Sequence, residues 1–507
     1  MTHSQEVARP ARDVVARDVV VGVDLGTTDT KALITTPDGR RIAFARRPTT
    51  WTITHDGRTE TTGAALLDDV LSTVADALAA ARESVDGRPV RVLGIGLAGL
   101  GESGVVLSPE GLEASPVIAW FDDRGGDELK RLDPALLAEL PARTGLPVGA
   151  QWTLPKLLWL SGAGLAPRRG SRWLNVPEYI AYALCGEQIS EPSLASRTAL
   201  LDQATDAPWE DALTALGVGA DFLPPLLPAG EAAGRVTECA VPELVGAVVT
   251  VAGHDHPVAA VGAGAVGRSD LFNSCGTAEV LLRSTPGRLG DGDRAALVAR
   301  GVDAGRHALP GHSALIGGMR SGLLMRRVLH LVGAHDPEGR DAIDRRWTAR
   351  THAARAVSVR GGAIQDNEIT LRLRDGASPD AAWAAALAHV AQRTTALLAD
   401  MESVVGEHGR AVAAGGWTRL RSVRASKSAV VSRLTFCSED QPGALGAALF
   451  AACAALEGAS VETLSPLFTH ASGPPPRADT DVPPPGRTTP PQTTGPPPPR
   501  LPADTHH

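Results

Sequence analysis

Three ionisable side chains stand in a row at His254, Asp255 and His256, within VAGHDHPVAAVGAG, and two chemistries are open to them. Imidazoles on either side of a carboxylate could hold a metal ion, or the carboxylate could act as a general base that happens to have histidine neighbours. The spacing weighs against the metal. Residues two apart share a face only in a strand, Pro257 helps end the strand just there, and no third ligand follows at zinc spacing. An aspartate capping a helix that begins near Pro257 would have the same local geometry as a base.

A second set of groups lies near the N-terminus. VVVGVDLGTTDTKALITTPDGR reads as a strand, a tight turn at Gly26-Thr27-Thr28 and a second strand, so its tip presents hydroxyls and backbone N–H groups that can hold a phosphate. Asp24, at the end of the first strand, could bind a magnesium ion through water, and Lys31 adds a cation. An ordinary hairpin with a polar turn would read the same way, but LFNSCGTAEVLL, residues 271–282, repeats the design around Gly276-Thr277.

The familiar glycine loops do not apply. GIGLAG, Gly94 to Gly99, has dinucleotide-fingerprint spacing, yet GESGVVLSPEG continues it as a strand rather than opening the helix that a pyrophosphate needs. GAGAVG follows a helical stretch instead of a strand. GLAGLGES has P-loop spacing with Glu102 in place of the lysine, and a carboxylate there repels phosphate.

The elements that must position these groups alternate along the chain. Strand-like runs such as VRVLGIGLAG and AVVTVAGHD are separated by helical stretches such as GAALLDDVLSTVADALAAARESV, an α/β pattern. Ser378 and Pro379 mark a helix start as N-cap and first helical residue, and another helix is expected from Pro442 through GALGAALFAACAALEG. With 507 residues the chain is long for one core, so two large domains are expected. Its 49 Lys plus Arg against 57 Asp plus Glu, net −8, argue against nucleic-acid or membrane-surface partners. The five cysteines lie far apart with no CxxC, and no apolar run approaches the roughly 18 residues of a membrane span. A soluble cytoplasmic protein is expected.

Two Gly-Thr hairpins, the first within DLGTT, resemble the phosphate-binding hairpins of the actin-like, sugar-kinase superfamily. More closely, VAGHDHPVAAVGAGAVG followed by NSCGTAEVLL resembles the start of the second domain in the FGGY carbohydrate kinases, the group containing xylulose and glycerol kinases. AVAAGGWTRL, GALGAALFAA, AWFDDRG, TGLPVGAQWTLPKLLWL and GGMRSGLL are similar to further landmarks of that family, so the resemblance runs from Val19 to Gly458. It implies an α/β fold of two ribonuclease-H-like (actin-like ATPase) domains with a deep interdomain cleft. Residues 18–252 would form the sugar-side domain and 253–472 the nucleotide-side domain, flanked by an unstructured lead-in, 1–17, and a proline-rich tail, 473–507.

The resemblance further implies ATP and Mg²⁺ as cofactors, a small sugar or polyol as substrate, and Asp255 as general base with the metal near Asp24. Gly26, Thr27, Thr28, Lys31, Gly276 and Thr277 would meet the phosphates; Gly318 lies at a nucleotide-side helix start, and Gly415 and Gly416 admit the adenosine. Trp417 departs from the small residue more common after them. On the sugar side, Glu102 matches a polyol-binding carboxylate of glycerol kinases, although the arginine before it there is Gly101 here. Asp122 either binds substrate or orients Arg124, Gln151 and Trp152 suit a longer polyhydroxylated ligand, and His256 is either a sugar contact or structural. No role is implied for His254. The competing readings are a degenerate actin-fold ATP- and sugar-binding regulatory protein, and a nicotinamide dehydrogenase resting on GIGLAG. A homodimer is an admissible assembly.

Overall fold

The first strand, β1 (Arg17–Leu25, RDVVVGVDL), is apolar at nearly every position from Val19, as a strand buried on both faces of a sheet must be. A computed structural model, describing residues 16–84, 89–348, 356–362 and 368–470, places it at the centre of a six-stranded sheet. It pairs antiparallel with β2 (Asp29–Thr35), which pairs antiparallel with β3 (Arg41–Pro48). On its other side run β4 (Val90–Gly99) and β6 (Val248–His254), both parallel to it, with the short β5 (Gly234–Arg235) at the edge. Helix α1 (Gly63–Ser84) covers one face with Leu66, Val70, Val74 and Leu78.

A second sheet repeats the plan. Strands β7 (Leu271–Cys275) and β8 (Glu279–Pro286) form its central hairpin, β9 (Asp303–Arg306) and β10 (His312–Met319) extend it antiparallel, and β11 (Ala411–Ala414) and β12 (Leu434–Phe436) run parallel to β7. The order β3-β2-β1-β4-β6 thus recurs as β10-β8-β7-β11-β12, with β5 and β9 as added edges. Helix α3 (Pro379–Val405) packs on this sheet, and Ser378 accepts from the Ala381 N–H with Pro379 behind it, as its sequence predicts. The five cysteines are unpaired, and no helix among the described residues is long and apolar enough to cross a membrane. The proline-rich tail and residues 1–15 of the lead-in lie outside the described residues.

The sheets are joined by two helices of small residues. Helix α2 (Asp255–Gly262) leaves the end of β6 and packs against α4 (Pro442–Ala455), which lies on the free face of the first sheet over β1, β4 and β6. Contact is backbone to backbone. A Cβ on Gly22 or Gly96 would stand 2.0 Å from the carbonyl oxygens of Ala444 and Ala447, and one on Gly262 would stand 1.9 Å from that of Pro442. The glycines of GIGLAG therefore serve helix packing: Gly96 faces α4, and Gly94 would meet Ala451 at 3.0 Å. A division of the chain at 252/253 falls inside β6, and α4, from the second half, completes the core of the first.

Candidate active site

The parallel strands β1, β4 and β6 end together, and the carboxyl ends of such strands are where α/β sheets gather their ligands. Asp24 closes β1, cross-strand from Lys31 of β2 and beside Ala98 of β4. Its Oδ2 accepts from Lys31 Nζ at 2.9 Å, and Asp24's charge raises the Lys31 pKa against the opposing effect of burial. Asp255 follows β6, close enough that Asp24 and Lys31 both act on its ionisation.

How Asp255 is aimed follows from the local backbone. A β-bulge between Val251 and Gly253 shifts the register on β4, and Gly253 sits at φ +115°, so the chain turns abruptly into α2. That helix begins at Asp255, two residues before the start expected near Pro257. Proline is tolerated within a first turn, whose N–H groups have no intrahelical partner. Asp255 is thus the first helical residue, and its Oδ1 accepts from the His256 N–H at 2.6 Å. The same oxygen lies 3.1 Å from His254 Nε2 and 3.9 Å from His256 Nε2, so the two rings converge on one carboxylate oxygen. Burial raises the Asp255 pKa and Asp24's charge adds to it, while His256, its N–H and Lys31 oppose. About a third of the side chain, 31 %, remains open.

Glu102 stands in the turn after β4 at φ +63°, a left-handed conformation costing a non-glycine residue roughly 1 kcal/mol. Its Oε1 accepts from Arg197 Nε at 2.6 Å, and the Arg197 guanidinium reaches on to Asp303 Oδ2 of β9 at 3.3 Å. Arg197 fills space left by Gly101, where a Cβ would stand 3.1 Å from Arg197 Cγ. The triad spans the two halves. Burial pushes Asp303 up to about 6 despite Arg197; Arg197 itself, which burial alone would lower, is held raised by its two carboxylates.

Other residues expected on the sugar side have defined partners. Both oxygens of the buried Asp122 accept from Arg124, and Oδ2 also accepts from the Thr59 N–H, so this carboxylate orients Arg124. Trp152 is 1 % exposed, with its Nε1–H bonded to Pro147 O and Arg197 lying 4.6 Å over its ring. Gln151 is exposed, and its backbone oxygen accepts from the buried Lys156 Nζ. Lys156 also donates to the carbonyls of Trp120, Asp122 and Ala150, and burial lowers its pKa to about 8.

The two hairpins expected to meet phosphates form as read from sequence, and their tips are open. Thr27 Oγ1 accepts from Trp120 Nε1 at 2.9 Å, which leaves its own hydroxyl hydrogen to donate. Thr277 is exposed, and its carbonyl accepts from the Leu323 N–H. Gly318 lies not at a helix start but on β10 opposite Val280, the helix beginning only at Ser321, and the next glycine, Gly322, closes on the tip: its Cβ would stand 2.0 Å from Gly276 O. Gly415, at φ +114°, would meet Cys275 O at 2.6 Å, so its freedom from a side chain is required. Gly416 is exposed, and Trp417 Nε1 lies 2.6 Å from the Cβ position of Gly322.

The residues not foreseen from sequence are Arg197, Asp303, Lys156 and a buried acid pair behind the site. Glu178 accepts from the N–H groups of Asn175 and Glu191 at 2.7 Å, and Glu191 from Ser193 Oγ and the Leu194 N–H. Burial pushes Glu178 up to about 7 and Glu191 to about 8, from 4.5, against these donors. The folded state therefore keeps protons that the unfolded state has lost, and stability falls as pH rises from about 4.5 to 8. A lower urea midpoint at pH 8 than at pH 5 is expected, with a smaller drop in Glu191→Gln.

A hydrated divalent cation fits these residues. Asp24 supplies hard carboxylate oxygens, of which Oδ2 is paired with Lys31, and Gly443 leaves room beside the other, a Cβ there standing 3.2 Å from Oδ1. Asp24 would hold it through water.

The model of the FGGY family of carbohydrate kinases, N-terminal domain, matches residues 19–262. Among curated proteins, the chain is 27 % identical to L-fuculokinase from Escherichia coli K12 over 271 residues, 52 % of this chain and 56 % of that protein. It is 28 % identical to xylulose kinase from Streptomyces rubiginosus over 251 residues, 48 % of this chain and 50 % of that one. The chain thus spans about half the length of the curated relatives it matches. A solved xylulose kinase structure from Brucella ovis superposes with TM-score 0.76 at 25 % identity, covering 89 % of this chain and 97 % of that one. Glycerol kinase from Plasmodium falciparum, with ADP, shares the fold at TM-score 0.76 and 16 % identity, over 90 % of this chain and 93 % of that one. The two repeated sheets are accordingly two actin-like ATPase domains. Over residues 19–262 the chain thus matches the FGGY family of carbohydrate kinases, and across most of its length its fold is similar to that of a solved xylulose kinase.

Proposed function

We propose that this chain transfers the γ-phosphoryl group of ATP to a hydroxyl of a small sugar, ketose or polyol, with Asp255 as the general base. The arrangement of Asp255 carries this reading: its Oδ1 is held by the His256 N–H beside His254, and the site opens at the ends of β1, β4 and β6. Oδ2 is then the oxygen left for an acceptor hydroxyl. As the hydroxyl oxygen bonds to the γ-phosphorus, its proton passes to Oδ2 and the bond from phosphorus to the β–γ bridging oxygen breaks, releasing ADP. The raised pKa of Asp255 makes it a stronger base than an exposed carboxylate.

Thr27, Thr28 and the backbone of both hairpin tips would hold the phosphates, with Lys31 countering their charge, and Gly415 would admit the adenosine. A magnesium ion held by Asp24 would supply charge neutralisation at the transferring phosphoryl. On the sugar side Glu102, His256 and Gln151 would contact acceptor hydroxyls. Trp152 is proposed to act through Arg197, and Asp122 through Arg124, because their own faces and oxygens are occupied. The curated relatives reported above include two named for ketoses, so ketoses are the first acceptors to try. The test is ADP release measured across pentuloses, hexuloses, aldoses and alditols. One group should stimulate release well above the rate without sugar; binding of ATP and sugar with no stimulation by any member would support a regulatory protein instead.

A further inference from the structure

Thr27, at the tip of the first hairpin, is held by two indoles from outside that hairpin. Trp120 Nε1 donates to its hydroxyl oxygen at 2.9 Å, and Trp51 Nε1 donates to its carbonyl oxygen at 2.8 Å. Both tryptophans are half-buried, and neither has a part in the reaction as written. The segment that contains Trp51 takes the neighbouring carbonyls as well: Thr49 Oγ1 donates to Gly26 O at 2.8 Å, and the Thr49 N–H donates to Thr28 O at 2.9 Å. Three successive carbonyls of the tip are thus turned toward residues 49–51. In planar trans peptides the N–H lies opposite the C=O, so the N–H groups of Thr27, Thr28 and Asp29 point away from that segment.

The two tryptophans come from one small sheet. Trp51 directly precedes the strand Thr52–Ile53, which pairs with Thr59–Thr61; that strand pairs with Val117–Ile118, and Trp120 follows shortly after it. The same sheet bears the Asp122–Arg124 pair, because the Thr59 N–H donates to Asp122 Oδ2 and Arg124 donates to Glu60 and to Thr59 O. Lys156 Nζ in turn ties Trp120 O and Asp122 O to Ala150 O and Gln151 O. Hydrogen bonds through Lys156 and Trp120 therefore connect Gln151, expected to meet the acceptor, with the hydroxyl of Thr27.

We propose that Trp120 and Trp51 are positioning residues for Thr27: the Trp120 indole occupies a lone pair of the Thr27 hydroxyl so that its hydrogen is offered to the phosphates of ATP, and Trp51 fixes the main chain beneath it. The proposal rests on the reading of Thr27 as a phosphate contact. A threonine hydroxyl has one hydrogen and two lone pairs, and it rotates to suit its partners. Unbraced, it can turn lone pairs toward an anion as readily as its hydrogen. With a donor already on the oxygen, the hydrogen leaves on another side, and the group meets a phosphate oxygen as a donor held in place beforehand, the condition under which such contacts stabilise a transition state.

Trp120→Phe keeps an aromatic ring and removes the donor; Thr27→Ser keeps the hydroxyl, and Thr27→Val removes it at nearly the same size. The reading is kcat/KM for ATP at saturating acceptor, which follows transition-state stabilisation however it is divided between kcat and KM. Trp120→Phe and Thr27→Val should each lose about 10-fold, the scale of one hydrogen bond, and Thr27→Ser should stay within about 3-fold of wild type. The acceptor KM should not move. Adding Trp120→Phe to Thr27→Val should cost less than about 2-fold more, because the group through which Trp120 acts is already gone. Trp51→Phe, expected to lose a smaller factor at the same acceptor KM, carries the test if Trp120→Phe does not fold in a thermal melt. Wild-type kcat/KM in Trp120→Phe, or in Trp51→Phe should the former not fold, with Thr27→Val impaired, overturns the positioning role and leaves Thr27 as a phosphate contact. A full loss on adding Trp120→Phe to Thr27→Val, or a raised acceptor KM in Trp120→Phe, also overturns it, since Trp120 then acts on the acceptor itself. Wild-type kcat/KM in Thr27→Val removes the phosphate contact, and the proposal with it.

Discussion

Asp255→Asn is expected to leave a protein that folds and binds ATP but phosphorylates its acceptor about 1,000-fold more slowly. General-base catalysis accounts for factors of about 100 to 10,000, and the middle of that range applies where the substituted amide still fills the site. The change is nearly isosteric: the side-chain amide keeps an oxygen for the His256 N–H but cannot take a proton. The loss should therefore appear in kcat, with the KM for ATP nearly unchanged, because the proposed ATP site comprises the two hairpins and Gly415. Removing the negative charge also relieves repulsion from Asp24, so the melting temperature should hold or rise slightly. Steady-state kinetics with coupled ADP detection and a thermal melt together check it.

Gly96→Val should be among the most damaging small substitutions in the first domain, costing about 3 kcal/mol or more, since overpacking at fixed backbone lies at the top of its usual range. The Cβ position is 2.0 Å from Ala447 O and 2.9 Å from Ala447 C. These are backbone atoms of α4 and cannot rotate aside as a side chain would, so the helix must lift from the sheet. Gly162→Ala is the matched control: nothing lies within 4 Å of its Cβ position in the helix Thr153–Gly162, and its effect should stay within about 1 kcal/mol, in the stabilising direction. Urea denaturation of the two variants against wild type measures the difference.

What could be read from the sequence was what local spacing determines. Each Gly-Thr hairpin is a contiguous strand, turn and strand, so the pairing of Asp24 with Lys31 follows from the turn alone. The proposed base lies between two histidines at the end of an apolar run, again a local pattern. Arg197, Lys156 and Asp303 show no such pattern, because their partners are set by tertiary packing. Arg197 meets Glu102 across 95 residues and Asp303 across 106. Trp152 reads as an aromatic platform for a sugar, but in the fold Arg197 has already taken that face. The start of α2 is read two residues late because Pro257 looks like a helix beginning, whereas the chain uses it inside the first turn. The alanines and glycines of α4 announce close packing without naming the surface, and that surface is the other domain's sheet.

The placement of α4 makes the protein's assembly order a matter of topology. Strand β6 ends at His254, yet the helix that seals the sheet behind it begins only at Pro442. As the chain leaves the ribosome, the first domain must wait with one apolar face uncovered until nearly the whole second domain has been made. An excised first half, ending at residue 262, would keep that face in solvent permanently, so it should behave as a sticky, partly ordered species. Adding the separate segment that contains α4 should rescue it, as a missing element does when supplied in trans.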